Sequence, residues 1–196
     1  MSSRVFFAGA SGVIGSRLVP LLVEAGHTVG AMTRSADKAD RLAALGAQPI
    51  VCDVFDRPAL TRAVRGFAPD VLLHELTDLP DDLADLPAES LINARIRAEG
   101  TRNLIDALDG SGAPKIIAQS VAWRLRPGPE ADAVALLEQA VLAANGVVLR
   151  YGLFYGPGTY YPGELPPEPR VNIETAAART LDALDAPAGI LTVVDG

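Results

Sequence analysis

The residues most directly suited to chemistry in this chain are three glycines in the run Gly9-Ala10-Ser11-Gly12-Val13-Ile14-Gly15. They follow Arg4-Val5-Phe6-Phe7-Ala8, an apolar run that reads as a buried strand, and precede a helical pattern beginning near Val13. A strand–turn–helix junction of this kind aims backbone N–H groups and the positive end of a helix at a phosphate or pyrophosphate. Gly9 permits the tight turn, Gly12 lets the ligand approach the backbone closely, and Gly15 lets the helix pack on the strand. The expected ligand is a nucleotide; a glycine-rich turn without a ligand is the alternative.

Two further positions bear on which nucleotide. In a dinucleotide site the end of the second strand selects the adenosine ribose, with a carboxylate for NAD and a cation for NADP. Here that strand ends Met32-Thr33-Arg34-Ser35, and the nearest acid, Asp37, falls in the following helix. Arg34 suits bidentate phosphate binding, with Lys38 a second candidate cation, so NADP(H) is favoured over NAD(H). After the third strand, Asp53 in Cys52-Asp53-Val54 offers a carboxylate to an adenine amino group; capping of the next helix is the alternative.

The elements that must position these groups alternate regularly. Strands are expected near 4–9, 28–33, 48–52, 70–75, 115–120, 147–151 and 190–194, and helices over 13–25, 36–45, 57–65, 90–108, 131–145 and 172–184. Most strand runs are continuously apolar, as in Val71-Leu72-Leu73, which suits a parallel sheet covered by helices on both faces. Gly26, Gly46 and Asn145-Gly146 mark helix stops, and Pro20 predicts a kink in the first helix. Segments 77–90, 124–130 and 156–170 each follow a strand and should gather at the carboxyl edge of the sheet, where ligands bind in such folds. Asp78, Asp81, Asp82, Asp85 and Glu89 read as a solvated loop and helix caps; without a His at ligand spacing, no metal site is expected.

With 196 residues, 49% hydrophobic and 21% charged, the chain reads as one domain, 1–196, with a substantial core. A net charge of −7 argues against nucleic acid or an anionic membrane as partner. No apolar run is long enough to span a bilayer and no signal peptide is visible, so a cytoplasmic location is expected. Lone Cys52 reads as a core thiol.

The ordered set of motifs resembles the short-chain dehydrogenase/reductase superfamily, in its extended and atypical, epimerase/dehydratase-like branch. Gly9-x-x-Gly12-x-x-Gly15 is similar to that branch's nucleotide loop and Asp53-Val54 to its adenine-contacting pair. Glu99-Gly100-Thr101-Arg102-Asn103-Leu104 is similar to the helix that packs behind the central strand. Leu149-Arg150-Tyr151-Gly152-Leu153-Phe154-Tyr155-Gly156-Pro157-Gly158-Thr159 is similar to the segment closing the nicotinamide end. The resemblance implies an α/β, Rossmann-type, doubly wound parallel sheet of about seven strands with an abbreviated C-terminal substrate region. It also implies that Ser120 is the catalytic hydroxyl and that Leu76 and Thr77 lie near the nicotinamide ribose. A homodimer through the fourth and fifth helices is a further expectation from it.

One departure from that resemblance is sharp. The superfamily's Tyr, with a Lys four residues later, is missing: the chain has only two lysines, Lys38 and Lys115, and neither has a Tyr four residues before it. Aligned on Glu138, Glu130 stands at the Tyr position and Val134 at the Lys position. Tyr151 is the candidate replacement acid, set against a packing role; an unassisted tyrosine, with a pKa of about 10, is a poor base at neutral pH. Glu130 and His74 are weaker candidates, His27 reads as a cap, and Trp123 and Phe154 as pocket or core residues. The leading expectation is an NADP(H)-binding oxidoreductase acting on a small apolar carbonyl or hydroxyl compound. Its rivals are a non-redox cyclase, epimerase or dehydratase and an NADP(H)-sensing module without turnover.

Overall fold

The computed structural model describes residues 2–80, 86–110 and 114–196, with no side-chain description for 86–90. Seven parallel strands form the main sheet: β1 (Arg4–Ala8), β2 (Thr28–Thr33), β3 (Gln48–Val51), β4 (Val71–His74), β5 (Lys115–Val121), β6 (Val147–Tyr151) and β9 (Gly189–Val193). Their order is β3-β2-β1-β4-β5-β6-β9. The chain therefore runs outward from β1 to β3, returns to β4 beside β1, and continues the other way. The switch point lies between β1 and β4, where this architecture leaves a crevice at the carboxyl ends of the strands.

Strict alternation along the strands divides the core. Val5, Phe7, Val29, Ala31, Leu73, Ile117 and Leu149 meet α1 (Gly15–Glu24), α2 (Ala39–Ala44) and α7 (Ile173–Asp182) on one face. Phe6, Ala8, Met32, Leu72, Ile116, Ala118 and Val148 meet α3 (Arg57–Phe67), α5 (Thr101–Ala107) and α6 (Pro129–Ala143) on the other. Burial on both faces explains why these strands read as continuous apolar runs. Gly30 of β2 leaves room for Phe67, whose ring carbons would lie 2.7 Å from a Cβ there. Lys115, at the start of β5, donates from Nζ to the carbonyls of Ala183, Leu184 and Ala186, fastening the end of α7 far from the crevice.

Several boundaries differ from the sequence reading. Helix α1 begins at Gly15, because Gly12 to Ile14 are spent on the turn, and it runs through Pro20 without interruption. The expected helix 36–45 starts as a 3₁₀ turn, Ala36–Lys38, before α2. The helix expected from 90 starts four residues earlier as α4 (Leu86–Arg95) and passes through a π-helical turn, Ile96–Gly100, into α5. The proline-rich segment is flanked by two short strands, β7 (Leu153–Tyr155) and β8 (Arg170–Asn172), paired in parallel as a second sheet. That pairing joins residues 17 positions apart at its near end (Leu153 with Arg170), which local periodicity cannot signal.

Candidate functional site

The glycine loop lies at the switch point. Gly9 has φ +98°, and a Cβ there would sit 2.6 Å from the backbone of Glu75 after β4. A Cβ on Gly15 would sit 2.4 Å from the Ala10 carbonyl oxygen. Both glycines are thus required by close backbone approach. Gly12 is different: it is exposed, and a Cβ there would meet only the Gly9 carbonyl oxygen, at 3.3 Å, leaving open space over the loop. The Gly12 N–H closes the turn on Gly9, 3.0 Å away, while those of Val13 and Ile14 reach no backbone acceptor among the described residues. Free donors at the start of a ten-residue helix, under a cradle that only glycine keeps open, fit a phosphate.

The loop is braced from both sides. Ser11 Oγ lies 3.3 Å from Thr33 Oγ1 at the end of β2, while Ala10 and Ile14 are buried and Val13 is partly exposed. Arg17, which the sequence reading passed over, donates to Val13 O at 2.9 Å and to the carbonyl of Pro157, and pairs with Glu174. It thereby fastens the 156–158 turn and α7 to the start of α1. Nothing in the sequence separates such an arginine from a solvated one, because its partners lie 140 and 157 residues away.

Beyond the end of β2, Arg34 is half exposed and forms a two-pronged pair with Asp78: Nη2 to Oδ1 is 2.7 Å and Nη1 to Oδ2 is 3.3 Å. Lys38 is exposed at the end of the 3₁₀ turn. Asp53 is exposed and accepts from the N–H of Phe55, whereas the cap of α3 is Asp56, which accepts from Ala59. The capping alternative for Asp53 therefore falls to Asp56, three residues on. Val54 is buried; its carbonyl accepts from Asn103, and its side chain packs on Gly100. The resembling helix motif thus sits directly behind β3's exit. Of the acidic stretch, Asp81, Asp82 and Asp85 lie outside the described residues, as does the side chain of Glu89.

On the other side of the switch point, Leu76 and Thr77 follow β4 and are partly buried. The Leu76 carbonyl accepts from Gln119 Nε2 at 3.0 Å, which ties this segment to the end of β5. Ser120 is buried and donates to Glu138 Oε1 at 2.6 Å. Arg150 grips the same carboxylate with Nε and Nη2, at 2.8 and 2.6 Å. Those hydrogen bonds from Arg150, with that of Ser120 and the charge of Arg97, hold Glu138 below the usual carboxylate range despite its burial. Glu138 is therefore an anion that polarises Ser120, leaving Oγ with lone pairs for an incoming hydroxyl. Arg97 is also buried here, and its Nη1 has no acceptor among the described residues; desolvation pulls its pKa down while Glu130 and Glu138 oppose this.

Tyr151 does not join this group. It sits on the opposite face of the sheet, buried, with its hydroxyl 3.0 Å from Glu75 Oε1 and 2.6 Å from Thr180 Oγ1. Burial and the neighbouring Glu75 push its pKa well above 10. Its ring packs on Phe154, centroids 5.2 Å apart. His74 is likewise buried, with Nε2 3.0 Å from Thr101 Oγ1 and Nδ1 accepting from Leu76, and burial lowers its pKa to about 3. His27 Nδ1 accepts from the Ser3 N–H, and Glu130 is partly exposed at the start of α6. Cys52 is a free, buried thiol whose pKa burial raises.

Comparison with known proteins agrees with this crevice. The sequence profile described as NAD(P)H-binding matches residues 9–144, from the first glycine to the end of α6. The chain belongs to the NAD(P)H-binding family. This family member is 39% identical over 184 residues to a 3-diazoavenalumate denitrifying reductase from a Streptomyces species, covering 81% of the chain and 58% of the relative. It is 31% identical over 171 residues to a 4-hydroxy-2-methyl-3-oxo-4-farnesyl-3,4-dihydroquinoline-1-oxide ketoreductase from Stigmatella aurantiaca, covering 78% and 51%. The chain thus spans little more than half the length of these relatives. Its fold matches UDP-glucose 4-epimerase from Thermus thermophilus in complex with NAD, at TM-score 0.80 and 22% identity over 98% of this chain and 78% of that one. A UDP-Glc/GlcNAc 4-epimerase from Campylobacter jejuni gives TM-score 0.81 at 15% identity, over 100% and 79%. The short-chain dehydrogenase/reductase resemblance of the sequence and the seven-stranded Rossmann-type sheet are in accord with both findings. Among the described residues, no helix is long and apolar enough to cross a membrane.

Proposed function

We propose that this chain is the cofactor-binding and reacting part of an NADP(H)-dependent oxidoreductase that reduces a small, largely apolar carbonyl compound with NADPH or, in reverse, oxidises the corresponding hydroxyl compound with NADP⁺. The observation that carries the reading is the juxtaposition, at one sheet edge, of the open Gly12 cradle and the Ser120–Glu138–Arg150 group. In this reading residues Gly9 to Gly15 hold the pyrophosphate, Arg34 and Lys38 the adenosine 2′-phosphate, Asp53 the adenine, and Leu76 and Thr77 the ribose nearer the reacting end. Bound NADPH would supply the hydride. Ser120 would orient the substrate oxygen, accepting from a hydroxyl while its own proton rests on Glu138 and donating to a carbonyl once that proton turns away from Glu138, which Arg150 holds in place. Tyr151, buried with its hydroxyl engaged on the far face, is left a packing role, so the proton that turns a reduced carbonyl into the alcohol product would come from solvent. An acceptor that needs no protein-borne proton also suits such a site. The similarity to a 3-diazoavenalumate denitrifying reductase and to a ketoreductase supports reduction.

A second reading, an NADP(H)-sensing module, is favoured by one feature: the Ser120 proton is already committed to Glu138 and no Tyr/Lys pair replaces it. Calorimetric titration with NADPH, NADP⁺, NADH and NAD⁺, followed by NADPH absorbance against a panel of ketones, aldehydes and an aryl diazo compound, separates the two. Binding with turnover supports the reductase. Binding without turnover on any acceptor favours the sensor or a non-redox enzyme, and no nicotinamide binding overturns both.

A further inference from the structure

Arg34 and Asp78 belong to opposite halves of the fold. Arg34 follows β2 and Asp78 lies four residues beyond the end of β4, while β1, with the glycine loop at its tip, stands between those strands. A bridge joining them must pass over the carboxyl end of β1. Both terminal nitrogens of Arg34 are spent on the two oxygens of Asp78, the fork-on-fork geometry that guanidinium offers to carboxylate or phosphate alike. The segment that presents Asp78 is held at both ends: Gln119 donates to the Leu76 carbonyl and Tyr160 to that of Pro80. Asp78 is therefore carried on a strap anchored to the substrate side of the crevice, while its carboxylate reaches the adenosine side.

We propose that Asp78 sets the cofactor preference of this site by competing with the adenosine 2′-phosphate for Arg34. This rests on the reading of Arg34 as the phosphate ligand. A 2′-phosphate must displace Asp78 before it can use the guanidinium fork, and it then faces the released carboxylate. A plain ribose leaves the pair intact and can donate its 2′-hydroxyl to Asp78. The pair thus narrows the advantage of NADPH over NADH that Arg34 alone would give.

The test is a double-mutant cycle on Arg34→Ala and Asp78→Asn, both exposed enough to leave the core untouched. It is read by calorimetry with adenosine 2′,5′-bisphosphate against AMP, and with NADPH against NADH. Asp78→Asn should tighten the 2′-phosphorylated ligands about two- to fivefold, the range expected for freeing one exposed ion pair, and leave AMP unchanged or slightly weaker. Arg34→Ala should weaken the phosphorylated ligands and erase the gain from Asp78→Asn, because competition needs the shared arginine. If Arg34→Ala weakens them but Asp78→Asn changes nothing, the competition is overturned while the phosphate reading stands. A gain that persists without Arg34 also overturns it, in favour of simple repulsion. If Arg34→Ala leaves all ligands unchanged, the phosphate reading fails and the proposal with it.

Discussion

Ser120, Glu138 and Arg150 show how much one side chain's role depends on its partners. Ser120 was legible from its place at a strand end in a resembling motif, but Glu138 served in the sequence only to align a helix. The structure makes it the acceptor of three hydrogen bonds, from Ser120 and twice from Arg150. In the proposed reductase, Ser120→Ala should lower kcat about a hundredfold, in the range of a lost proton-transfer or orienting group, with the NADPH dissociation constant unchanged. Steady-state kinetics beside calorimetry would check this, and an equal loss of cofactor affinity would contradict it. Tyr151 makes the converse point. A tyrosine at a strand end reads as a candidate acid until the parity of the strand is known; being one residue along from Arg150, it points into the other layer.

At the scale of elements, the end of β4 is where the fold stores its buried charge chemistry. Glu75 is buried, with Oε2 lacking a partner among the described residues, and burial raises its pKa to about 8, against a smaller opposing effect of Tyr151. The proton count agrees. Thr180 donates to the Ala176 carbonyl at 2.7 Å, leaving the Tyr151 proton to serve its contacts with both Thr180 and Glu75. A proton on Glu75 completes that chain. Because the folded pKa lies above the ordinary 4.5, the stability Glu75 contributes is fully present below about 4.5 and is lost as pH rises through about 8. Raising the pH from 5 to 9 should therefore lower Tm by on the order of 5 °C, and Glu75→Gln, which keeps a donor for Tyr151, should flatten that slope. His74 acts in the opposite direction. Its folded pKa of about 3 lies below the ordinary 6.5, so its contribution is lost as pH falls through that window. Thermal scans across pH would show a maximum between the two; a wild-type slope that Glu75→Gln leaves unchanged would contradict the assignment.

For the whole molecule, the arrangement around β1 and β4 makes a single edge where the glycine loop, Arg34 and Ser120 meet. The helices lying over the far side of that edge carry exposed apolar residues: Leu91 and Ile92 on α4, 66% and 48% exposed, and Leu136 on α6, 49% exposed. These are the helices in which a homodimer was expected, and α4 packs on α6. The homodimer that the resemblance implies, placed on this face, predicts that the pair Leu91→Glu and Leu136→Glu shifts sedimentation from dimer to monomer without lowering cofactor affinity. A wild-type chain that sediments as a monomer at tens of micromolar would refute it.

The sequence by itself determined the parallel sheet, its layers and the glycine turn at its switch point, because these rest on local rules. Buried strands are continuously apolar, helices stop at glycine, and only glycine tolerates the approaches at positions 9 and 15. Tertiary structure alone decided what the polar side chains do. It paired Arg34 with Asp78, Ser120 with Glu138, Tyr151 with Glu75 and Arg17 with Pro157, and it joined the two flanks of the proline-rich loop as a second sheet. Those partners lie from 17 to 140 residues apart, measured from the strand pair Leu153–Arg170 to the Arg17–Pro157 bond. A charge or hydroxyl has no periodic signature of its own; its chemistry is set by whichever distant group the fold brings within hydrogen-bond reach.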